Sequence, residues 1–410
     1  MNGITPEELE YRRRTPASER YFREARRYLP GGDSRSTLFY QPYPAVLARG
    51  NGCTVTDLDG NSLLDFSGNH SVLIHGYNHP TVMAAVERQL ELGTCFAGPT
   101  EPQLALARML CERIASVELV RFTNSGTEAT LQAIRAARAF TGRRLVARAQ
   151  AAYHGSLETT MDPSHPDAVV IPFDDADEAV RTIEARSREL AAVLVEPVQG
   201  SAGMIPAGRD YLERLREATA GLGILLVFDE VVSFRIAWGG AQELYGVTPD
   251  LTVLGKLIGG GFPLGAFGGR ADVMALFDPS NGPPVVPHPG SYNANPMSLV
   301  AGAATLELLT REVIAELNQR GDTLRAHLRE WFDQTETRAR ITGLGSLFAI
   351  HPHPPELRHR IFLGLYNRGV LIDPRGVGTL STAIGESETA RFLDALRALQ
   401  FLAPAGSSAL

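Results

Sequence analysis

The sequence predicts an α/β protein in which helices cover both faces of a mainly parallel β-sheet. From about residue 80 onward, helical segments alternate with short and nearly continuous apolar runs. Such runs are typical of strands that are buried on both faces, and their alternation with helices is typical of a parallel arrangement. The runs that we assign to strands are residues 119–123, 145–147, 169–171, 191–195, 224–228 and 251–254.

The two ends of the chain show a different pattern. An amphipathic helix is expected near the N-terminus, ending close to residues 29–32, and residues 46–66 are typical of short antiparallel strands joined by turns. The last hundred residues are expected to hold two long helical segments around a strand at 346–350 and a final helix from about 386 to 401. We expect the tail 403–410 to fray.

The composition is that of a globular protein and argues against several classes of partner. The 410 residues are 44% hydrophobic and 21% charged, and a net charge of −7 disfavours binding to nucleic acid or to an anionic membrane. Cys53, Cys95 and Cys111 are too few and too irregularly spaced for a disulfide framework or a zinc site. The first thirty residues lack a signal-peptide core, and glycines and a proline interrupt the most apolar window. We therefore expect a cytoplasmic protein with no bound metal and no transmembrane span.

Lys256 is the only charged residue in the apolar stretch 251–267, and no carboxylate lies near enough along the chain to pair with it. Burial of an ammonium group is costly, so a lysine in such a place normally becomes an amine nucleophile. The natural use of that amine is an imine with a carbonyl cofactor. The alternative is a lysine whose ammonium group reaches the surface from the end of a buried strand.

Asp229 places a carboxylate at the end of another predicted strand, 27 positions before Lys256. One helix and one further strand fit into that interval, so both residues would face the crevice at the carboxyl ends of the strands. The alternative is that Asp229 caps a helix or takes part in an ordinary ion pair.

The segment Asn124–Ala129 connects a predicted strand to a helix that runs to about Phe140. Two hydroxyl groups, a glycine and the free N–H groups of a helix start make an anion site that suits a phosphate ester. The alternative is an ordinary N-cap in which Glu128 completes a capping box. The segment matches neither the Walker A nor the dinucleotide glycine pattern, which argues against ATP and NAD.

Tyr153-His154-Gly155 follows the strand that begins at Leu145, where an aromatic ring could stack on a flat ligand. Taken alone, this segment is a turn with two buried rings. Together with the segments above, it completes a set of an amine, a carboxylate, a phosphate site and a stacking ring. That set is what pyridoxal phosphate requires, since the carboxylate keeps the pyridine nitrogen protonated and the amine both carries the cofactor and moves a proton.

These segments resemble the motifs of the fold-type I, class III pyridoxal-phosphate aminotransferases, and the resemblance covers about residues 20 to 400. Within that class, the chain is most similar to the branch with glutamate-1-semialdehyde aminomutases and β-amino-acid (β-phenylalanine type) aminotransferases. The matching segments are residues 73–80, 122–129, 153–155, 195–197, 227–231 and 254–256.

The resemblance implies a role for each of these segments. Lys256 would be the Schiff-base lysine, and Asp229 would be the partner of the pyridine nitrogen. The further cofactor contacts that it implies are Ser125, Gly126 and Thr127 around the phosphate, Tyr153 on one face of the ring and Val231 on the other. It also implies a large cofactor-binding domain of residues 71–305 and a small α+β domain formed by residues 1–70 and 306–410.

The family forms homodimers in which a hydroxyl residue of the neighbouring subunit reaches the phosphate. By resemblance, this residue is Ser291 in the segment His288–Pro296, where the family more often has threonine. The segment that follows Asp229 is one residue shorter than in the aminomutases, as it is in the β-amino-acid branch. Residues 31–40 and 373–376 also resemble that branch.

In those enzymes, two arginines at the places of Arg35 and Arg375 handle substrate carboxylates, which a guanidinium group holds through two parallel hydrogen bonds. The alternative for either arginine is a surface or interface ion pair. Residues 65–74 depart from the pattern of a β-phenylalanine enzyme at a place where substrate side chains are read, which leaves the side-chain specificity open.

We therefore predict a transaminase that moves an amino group from a β-amino acid, aromatic ones included, or a related amino acid to a 2-oxo acid such as 2-oxoglutarate. A second hypothesis is a glutamate-1-semialdehyde-type aminomutase or an amino-acid epimerase on the same scaffold. A third is a non-catalytic binding subunit, although such proteins typically lose the lysine or the aspartate, and both are present here.

Overall fold

The computed structural model describes residues 3–335 and 337–402, which form two compact units. The smaller unit contains the described residues up to His70, the residues His75–His79 and the described residues from Gln319 onward. The larger unit contains Ser71–Ile74 and Pro80–Asn318. The N-terminal and C-terminal parts of the chain therefore contribute to the same unit.

The limits of these units differ from the predicted domain limits at two places. His75–His79 lie with the smaller unit because Tyr77 exchanges two backbone hydrogen bonds with Gly52, at 3.0 and 2.7 Å. Residues 306–318 lie with the larger unit, and the side-chain amide of Asn318 donates to the Ile236 carbonyl at 2.7 Å. The boundary therefore falls inside the helix Arg311–Asp333.

A seven-stranded sheet forms the centre of the larger unit, and we number its strands in chain order. They are β1 (Leu119–Thr123), β2 (Leu145–Ala149), β3 (Ala168–Ile171), β4 (Leu190–Val195), β5 (Leu225–Asp229), β6 (Leu251–Leu254) and β7 (Gly265–Gly269). Across the sheet they are arranged in the order β1-β7-β6-β5-β4-β2-β3. Each of the six predicted runs coincides with one of β1 to β6.

The direction of the strands places most of their carboxyl ends at one edge of the sheet. The pairs β2–β3, β2–β4, β4–β5 and β5–β6 are parallel, and β7 is antiparallel to both β6 and β1. All strands except β7 therefore run in the same direction. This is the mainly parallel sheet that the sequence predicts, with one antiparallel member.

Strand β7 is not among the predicted strands, because three of its five residues are glycines and glycine is depleted in strands. A side chain at Gly269 would overlap the Asp250 carbonyl oxygen, and one at Gly268 would lie 2.6 Å from the Leu119 carbonyl oxygen. The glycines thus let the neighbouring strands approach closely. The residues that hide β7 from a propensity argument are the ones that allow it to form.

The helix Gly126–Thr141 packs on this sheet through small residues. Ala129, Ala133, Ala136 and Ala137 are fully buried and belong to the same core cluster as residues of β4, β5, β6 and β7. Their small size lets the helix lie close to the strands. The other helices of this unit are Pro80–Leu92, Glu101–Arg113, Glu158–Met161, Ala176–Ala185, Arg209–Leu222, Ala241–Tyr245, Ala271–Met274 and Pro296–Leu308.

The smaller unit contains two short sheets. Leu47–Asn51, Thr54–Asp57 and Ser62–Asp65 form the predicted antiparallel strands, and Val370–Leu371 adds a parallel strand beside Ser62–Asp65. The second sheet is antiparallel and consists of Arg338–Thr342, Leu347–His353 and Val377–Thr379. The helices with all their residues in this unit are Pro6–Arg14, Pro16–Ala25, Leu357–Tyr366 and Glu386–Arg397.

The predicted single N-terminal helix is wrong, because the chain forms two helices there, Pro6–Arg14 and Pro16–Ala25. Thr15 between them is non-helical, with φ −127° and ψ 44°. Pro16 has no N–H to donate, and its ring keeps the preceding residue out of the helical region. At the other end, the final helix stops at Arg397, and the tail 403–410 lies outside the described residues.

Residues Gly68–Ser71 form a single left-handed turn. The four φ angles are 54°, 53°, 56° and 72°, so Asn69, His70 and Ser71 adopt a conformation that glycine normally takes. For an L-residue with a side chain, this conformation costs about 1–2 kcal/mol. Three such residues in succession are unusual and persist only where surrounding contacts hold them.

The described residues contain neither a membrane-spanning helix nor a metal-binding cluster. No helix there is both long and apolar enough to cross a membrane. No cluster of three or more His, Cys, Asp or Glu side chains is arranged to bind a metal ion in that part of the chain.

Replacement of Gly302 by alanine should destabilise the larger unit. Gly302 lies in the helix Pro296–Leu308, where a methyl group would overlap the Ile258 carbonyl oxygen in the turn that begins at Lys256. We expect Gly302→Ala to lower the free energy of unfolding by about 1–3 kcal/mol, because backbone atoms must move apart. Thermal and urea unfolding measure the change.

The matched control is Gly221→Ala in the helix Arg209–Leu222. Gly221 is exposed, and no atom lies within 4 Å of the place its methyl group would take. This variant should be as stable as the wild type or more stable by up to about 1 kcal/mol, since alanine favours the helix. Equal effects of the two substitutions would contradict the packing argument.

Candidate active site

Lys256 follows the end of β6 in a strained backbone conformation. Gly255 is extended, and Lys256 is left-handed with φ +52° at the start of a short 3₁₀ turn, Lys256–Gly259. Strained non-glycine residues of this kind cluster at functional sites. Lys256 is half-buried, and it is the only lysine in the 410 residues. Lys256 is therefore the sole side-chain amine of this chain. Our prediction did not use this signal.

Asp229 is the last residue of β5 and leaves the sheet at the same edge as Lys256. The parallel register pairs Asp229 with Val253, and the Glu230 N–H donates to the Val253 carbonyl at 2.9 Å. Lys256 comes three residues after Val253. Asp229 is 5% exposed. Asp229 and Lys256 therefore follow neighbouring parallel strands at the same edge of the sheet, as the sequence predicts.

His154 is the hydrogen-bonding partner of the Asp229 carboxylate. Its Nδ1 lies 2.9 Å from Asp229 Oδ2, and the Val231 N–H donates to Oδ1 at 3.1 Å. His154 is 1% exposed, and its Nε2 has no hydrogen-bond partner among the described residues. With Nδ1 as the donor, the histidine fixes the orientation of the Asp229 carboxylate. The prediction named the segment of His154 but gave this residue no role.

Glu196 follows β4 and forms a hydrogen bond with the backbone of the segment that contains His154. Its carboxylate accepts from the Tyr153 N–H at 2.9 Å and from the Gly200 N–H at 3.1 Å. Burial raises the pKa of Glu196 to about 7, with a lowering influence of His154 and a raising influence of Asp229. Three ionisable groups therefore share one buried cluster, which is typical of functional sites.

Glu230, the neighbour of Asp229, has a structural role. Its carboxylate accepts from the backbone N–H groups of Ala241 and Gln242 at 2.7 and 2.9 Å and from the Ser233 hydroxyl at 2.7 Å. These bonds cap the start of the helix Ala241–Tyr245. The capping role that was the alternative for Asp229 thus belongs to Glu230.

The predicted phosphate segment connects β1 to the helix Gly126–Thr141. Ser125 is the N-cap, and its hydroxyl accepts from the Glu128 N–H at 3.2 Å. Glu128 accepts in turn from the backbone N–H of Asn124 at 2.9 Å, which is a variant of the capping box that we named as the alternative. The backbone N–H groups of Gly126 and Thr127 belong to the first turn, which has no intrahelical acceptors for them. The cap therefore coexists with donors that suit an anion.

Glycines, which have no side chain, let these segments pack closely against one another. A methyl group on Gly126 would lie 3.0 Å from Val231 Cγ2, and one on Gly255 would lie 3.4 Å from both Gly126 Cα and Val231. Gly155 is left-handed, and a methyl group there would lie 2.7 Å from Thr127 Cα. The phosphate segment, the end of β5, the lysine segment and the tyrosine segment therefore meet in one cradle. Its donors and acid fit pyridoxal phosphate.

The three other side chains that were predicted to contact the cofactor differ in their exposure to solvent. Tyr153 is 43% exposed, and Val231 is half-buried. Ser291 is exposed, in a loop that Asn293 ties to the phosphate segment: the Asn124 side-chain amide donates to Asn293 Oδ1 at 3.2 Å. The loop thus lies beside the phosphate segment of its own chain and exposes Ser291 to the outside.

The two predicted substrate arginines lie in the smaller unit, and their surroundings differ. Arg35 donates to the Asn69 side-chain oxygen at 3.0 Å, and within the described part of the chain no carboxylate forms an ion pair with it. Arg375 donates to both oxygens of Asp373, at 2.8 and 2.9 Å. Burial tends to raise the pKa of Asp373, but hydrogen bonds from Arg375 and His70 outweigh it and hold that pKa well below its usual range. The ion pair that was the alternative for both arginines is thus present at Arg375.

Comparison with known proteins identifies the family. The Aminotransferase class-III family matches residues 38–384. The chain is 41% identical to a β-phenylalanine transaminase of Variovorax paradoxus, over 94% of each chain. It is 38% identical to a glutamate-1-semialdehyde 2,1-aminomutase of Methanothermobacter thermautotrophicus, over 87% of this chain and 92% of that one.

Solved structures agree with this assignment. A crystal structure of an omega-transaminase from Sphaerobacter thermophilus superposes with a TM-score of 0.90 at 43% identity, over 93% of this chain and 96% of that one. A β-phenylalanine aminotransferase from Variovorax paradoxus also gives 0.90, at 40% identity over 95% of each chain. The chain therefore belongs to the class III aminotransferases, which are pyridoxal-phosphate-dependent enzymes of fold type I.

Proposed function

We propose that this transaminase takes the amino group of a β-amino acid, aromatic ones included, or of a related amino acid and passes it to a 2-oxo acid such as 2-oxoglutarate. The observation that carries the proposal is the arrangement of Lys256 and the Asp229–His154 pair at the same edge of neighbouring parallel strands. The likeness to a β-phenylalanine transaminase and to an omega-transaminase supports the donor class.

In this proposal, Lys256 and Asp229 divide the chemical work. Bound pyridoxal phosphate supplies a ring that withdraws the electron pair left when a C–H bond of the substrate breaks. The Lys256 amine holds the cofactor at rest and, once displaced, takes up and returns the substrate proton. Asp229 would accept a hydrogen bond from the protonated ring nitrogen, and His154 holds the aspartate in its orientation. Tyr153 and Val231 would lie on the two faces of the ring.

The phosphate site would combine residues of one subunit with one residue of a second. Ser125, Gly126 and Thr127 offer hydroxyl and backbone N–H donors at the start of a 16-residue helix. Ser291 of a second copy would add a further hydroxyl, because it is exposed in this chain and is followed by Tyr292, which is 64% exposed. The proposal therefore includes a homodimer with shared active sites.

An exposed apolar surface of the larger unit supports the homodimer. Large apolar side chains that are close in sequence are 49% to 73% exposed, namely Leu90, Leu92, Phe96 and Leu104. The Asn295 side-chain amide donates to the Thr94 carbonyl at 3.0 Å, which joins this surface to the loop of Ser291. We propose that these exposed apolar side chains belong to the dimer interface, since large exposed apolar surfaces mark interaction sites.

Arg35 and Arg375 would bind the carboxylates of the substrates. Arg35 is exposed and Arg375 is half-buried. Each already has a hydrogen-bond acceptor that limits its movement. A 2-oxo acid such as 2-oxoglutarate has two carboxylates, so a pair of arginines suits it.

Two other hypotheses compete with this one. The likeness to a glutamate-1-semialdehyde aminomutase keeps an intramolecular amino transfer, or an epimerase, as the alternative. A non-catalytic binding subunit is disfavoured because Lys256 and Asp229 are both present. The predicted cytoplasmic location and the absence of nucleic-acid and membrane partners stay predictions from composition.

Lys256 should be the only residue that retains the cofactor after reduction with borohydride. Because the chain has no other lysine, a single labelled tryptic peptide is expected, and Lys256→Ala should show none. The activity of Lys256→Ala should fall by at least about 10²- to 10⁴-fold, as expected for loss of a general acid and base. Lys256→Arg keeps the charge but not the nucleophile, and it should be equally inactive. A label elsewhere in the chain would disprove the assignment.

The donor class is tested by amino transfer from a panel of α- and β-amino acids, including both enantiomers of β-phenylalanine, to 2-oxoglutarate and to pyruvate. We expect turnover with at least one β-amino acid and strict dependence on the 2-oxo acid. The same reactions without a 2-oxo acid distinguish the alternatives, because an aminomutase or an epimerase would still turn over repeatedly. Turnover restricted to glutamate-1-semialdehyde would refute the proposed donor class.

The homodimer is tested by the mass of the purified protein in multi-angle light scattering. We expect twice the chain mass, and Leu104→Arg should shift the protein toward the monomer because it places a charge on the apolar surface. The control is Leu244→Arg in the helix Ala241–Tyr245, an exposed leucine outside that surface. A wild-type monomer at micromolar concentration would contradict the shared site.

A further inference from the structure

The left-handed turn Gly68–Ser71 has two consecutive residues that contact the two arginines. The three non-glycine residues of the turn have φ angles of 53°, 56° and 72°. The start of the turn is held by Asp65, whose Oδ1 accepts from the N–H groups of Ser67 and Gly68 at 2.7 and 3.1 Å. Such a conformation survives only when contacts hold it, and strained segments of this kind occur at functional sites.

Asn69 contacts Arg35. Its side-chain oxygen accepts from the Arg35 guanidinium at 3.0 Å. The nearby Asp33 carboxylate accepts from the backbone N–H of Arg35, at 3.1 Å, and forms no ion pair with the Arg35 guanidinium within the described part of the chain. A neutral amide therefore orients the guanidinium and leaves its full positive charge in place. An anion that approaches Arg35 meets a cation that no carboxylate of the described residues neutralises.

His70 contacts the Arg375 pair. Its Nδ1 lies 2.8 Å from Asp373 Oδ2 and 3.3 Å from the Arg375 guanidinium. When Nδ1 carries a proton, it donates to Asp373, which also accepts the backbone N–H and two side-chain N–H groups of Arg375. His70 and Asp373 thus hold Arg375 in one orientation.

The second nitrogen of His70 is the further indication of a ligand. Nε2 is buried, and no described residue forms a hydrogen bond with it. A buried polar atom without a partner is rare and calls for an explanation. A bound acid would supply that partner through a carboxylate oxygen when Nε2 also carries a proton, and through an N–H or O–H group when it does not. This partner would lie at a place where the two arginines are already oriented.

We propose that Asn69 and His70 are positioning residues that determine how acids bind in this enzyme, Asn69 by orienting Arg35 and His70 by orienting Arg375. This inference rests on the proposed transaminase function and on the proposed role of the two arginines. It deepens that function by assigning the acid specificity to a turn.

Glycine substitution separates the side-chain role from the backbone role. Glycine adopts positive φ without strain, so Asn69→Gly and His70→Gly remove the contacts with the arginines and keep the turn. We expect each variant to raise KM for the amino acid or for the 2-oxo acid by about tenfold, as for the loss of one hydrogen bond to a charged group. The values of kcat, the visible absorbance of bound pyridoxal phosphate and the thermal unfolding midpoint should stay close to those of the wild type.

The chain offers a matched control in Asn78. This residue is also an exposed asparagine with φ 53°, and its side chain donates to the Gly50 carbonyl at 2.8 Å, with no contact to either arginine. Asn78→Gly should leave both KM values unchanged. His70→Asn, which tolerates the left-handed conformation and can still donate to Asp373, should recover part of the loss.

The outcomes distinguish this inference from the proposed function. Unchanged KM values in both glycine variants, in an enzyme that transaminates, would overturn the inference and leave the function standing. Loss of bound cofactor or of thermal stability with unchanged KM would also overturn it, since it would show a merely structural turn. A wild-type protein without transaminase activity toward any donor would defeat the function itself.

Discussion

The parallel pairing of β5 with β6 is the constraint on which the site depends. It pairs Asp229 with Val253, so that Lys256, three residues later, leaves the sheet beside the aspartate. In a sheet, a shift of one residue turns every side chain to the opposite face. The apolar core on both faces of these strands fixes their register. It therefore also fixes the position of the Lys256 amine relative to the Asp229 carboxylate, although neither residue belongs to the apolar core.

Glycines complete the site by the absence of side chains. Gly126 and Gly255 let the phosphate segment, Val231 and the lysine segment meet at van der Waals distance, and Gly155 does the same for the tyrosine segment and Thr127. Four loops from different strands thus converge on one cradle. The rigid sheet positions the loops, and the loops carry the chemistry, which is the usual division of labour in α/β enzymes.

The burial of Asp229 and its ionisable neighbours explains why so many hydrogen bonds surround them. Asp229, His154 and Glu196 are each at most 5% exposed, and a buried charge is tolerated only when it is paired or hydrogen-bonded. His154 satisfies Asp229, and backbone N–H groups satisfy Glu196. The same rule holds in the smaller unit, where Asp373 accepts from Arg375 and His70.

The sequence by itself determined the mainly parallel sheet, the strand ends that carry Asp229 and Lys256, and the helix start at Ser125, because these follow from local patterns of apolar, polar and glycine residues. It also contained an unused signal, the single lysine. Only the tertiary structure decided the partner of Asp229, the capping role of Glu230, the glycine-rich strand β7 and the left-handed turn with Asn69 and His70. These features arise from contacts between residues far apart in the chain. Local propensity points away from the last two, because it disfavours glycine in strands and disfavours the left-handed backbone conformation for residues other than glycine.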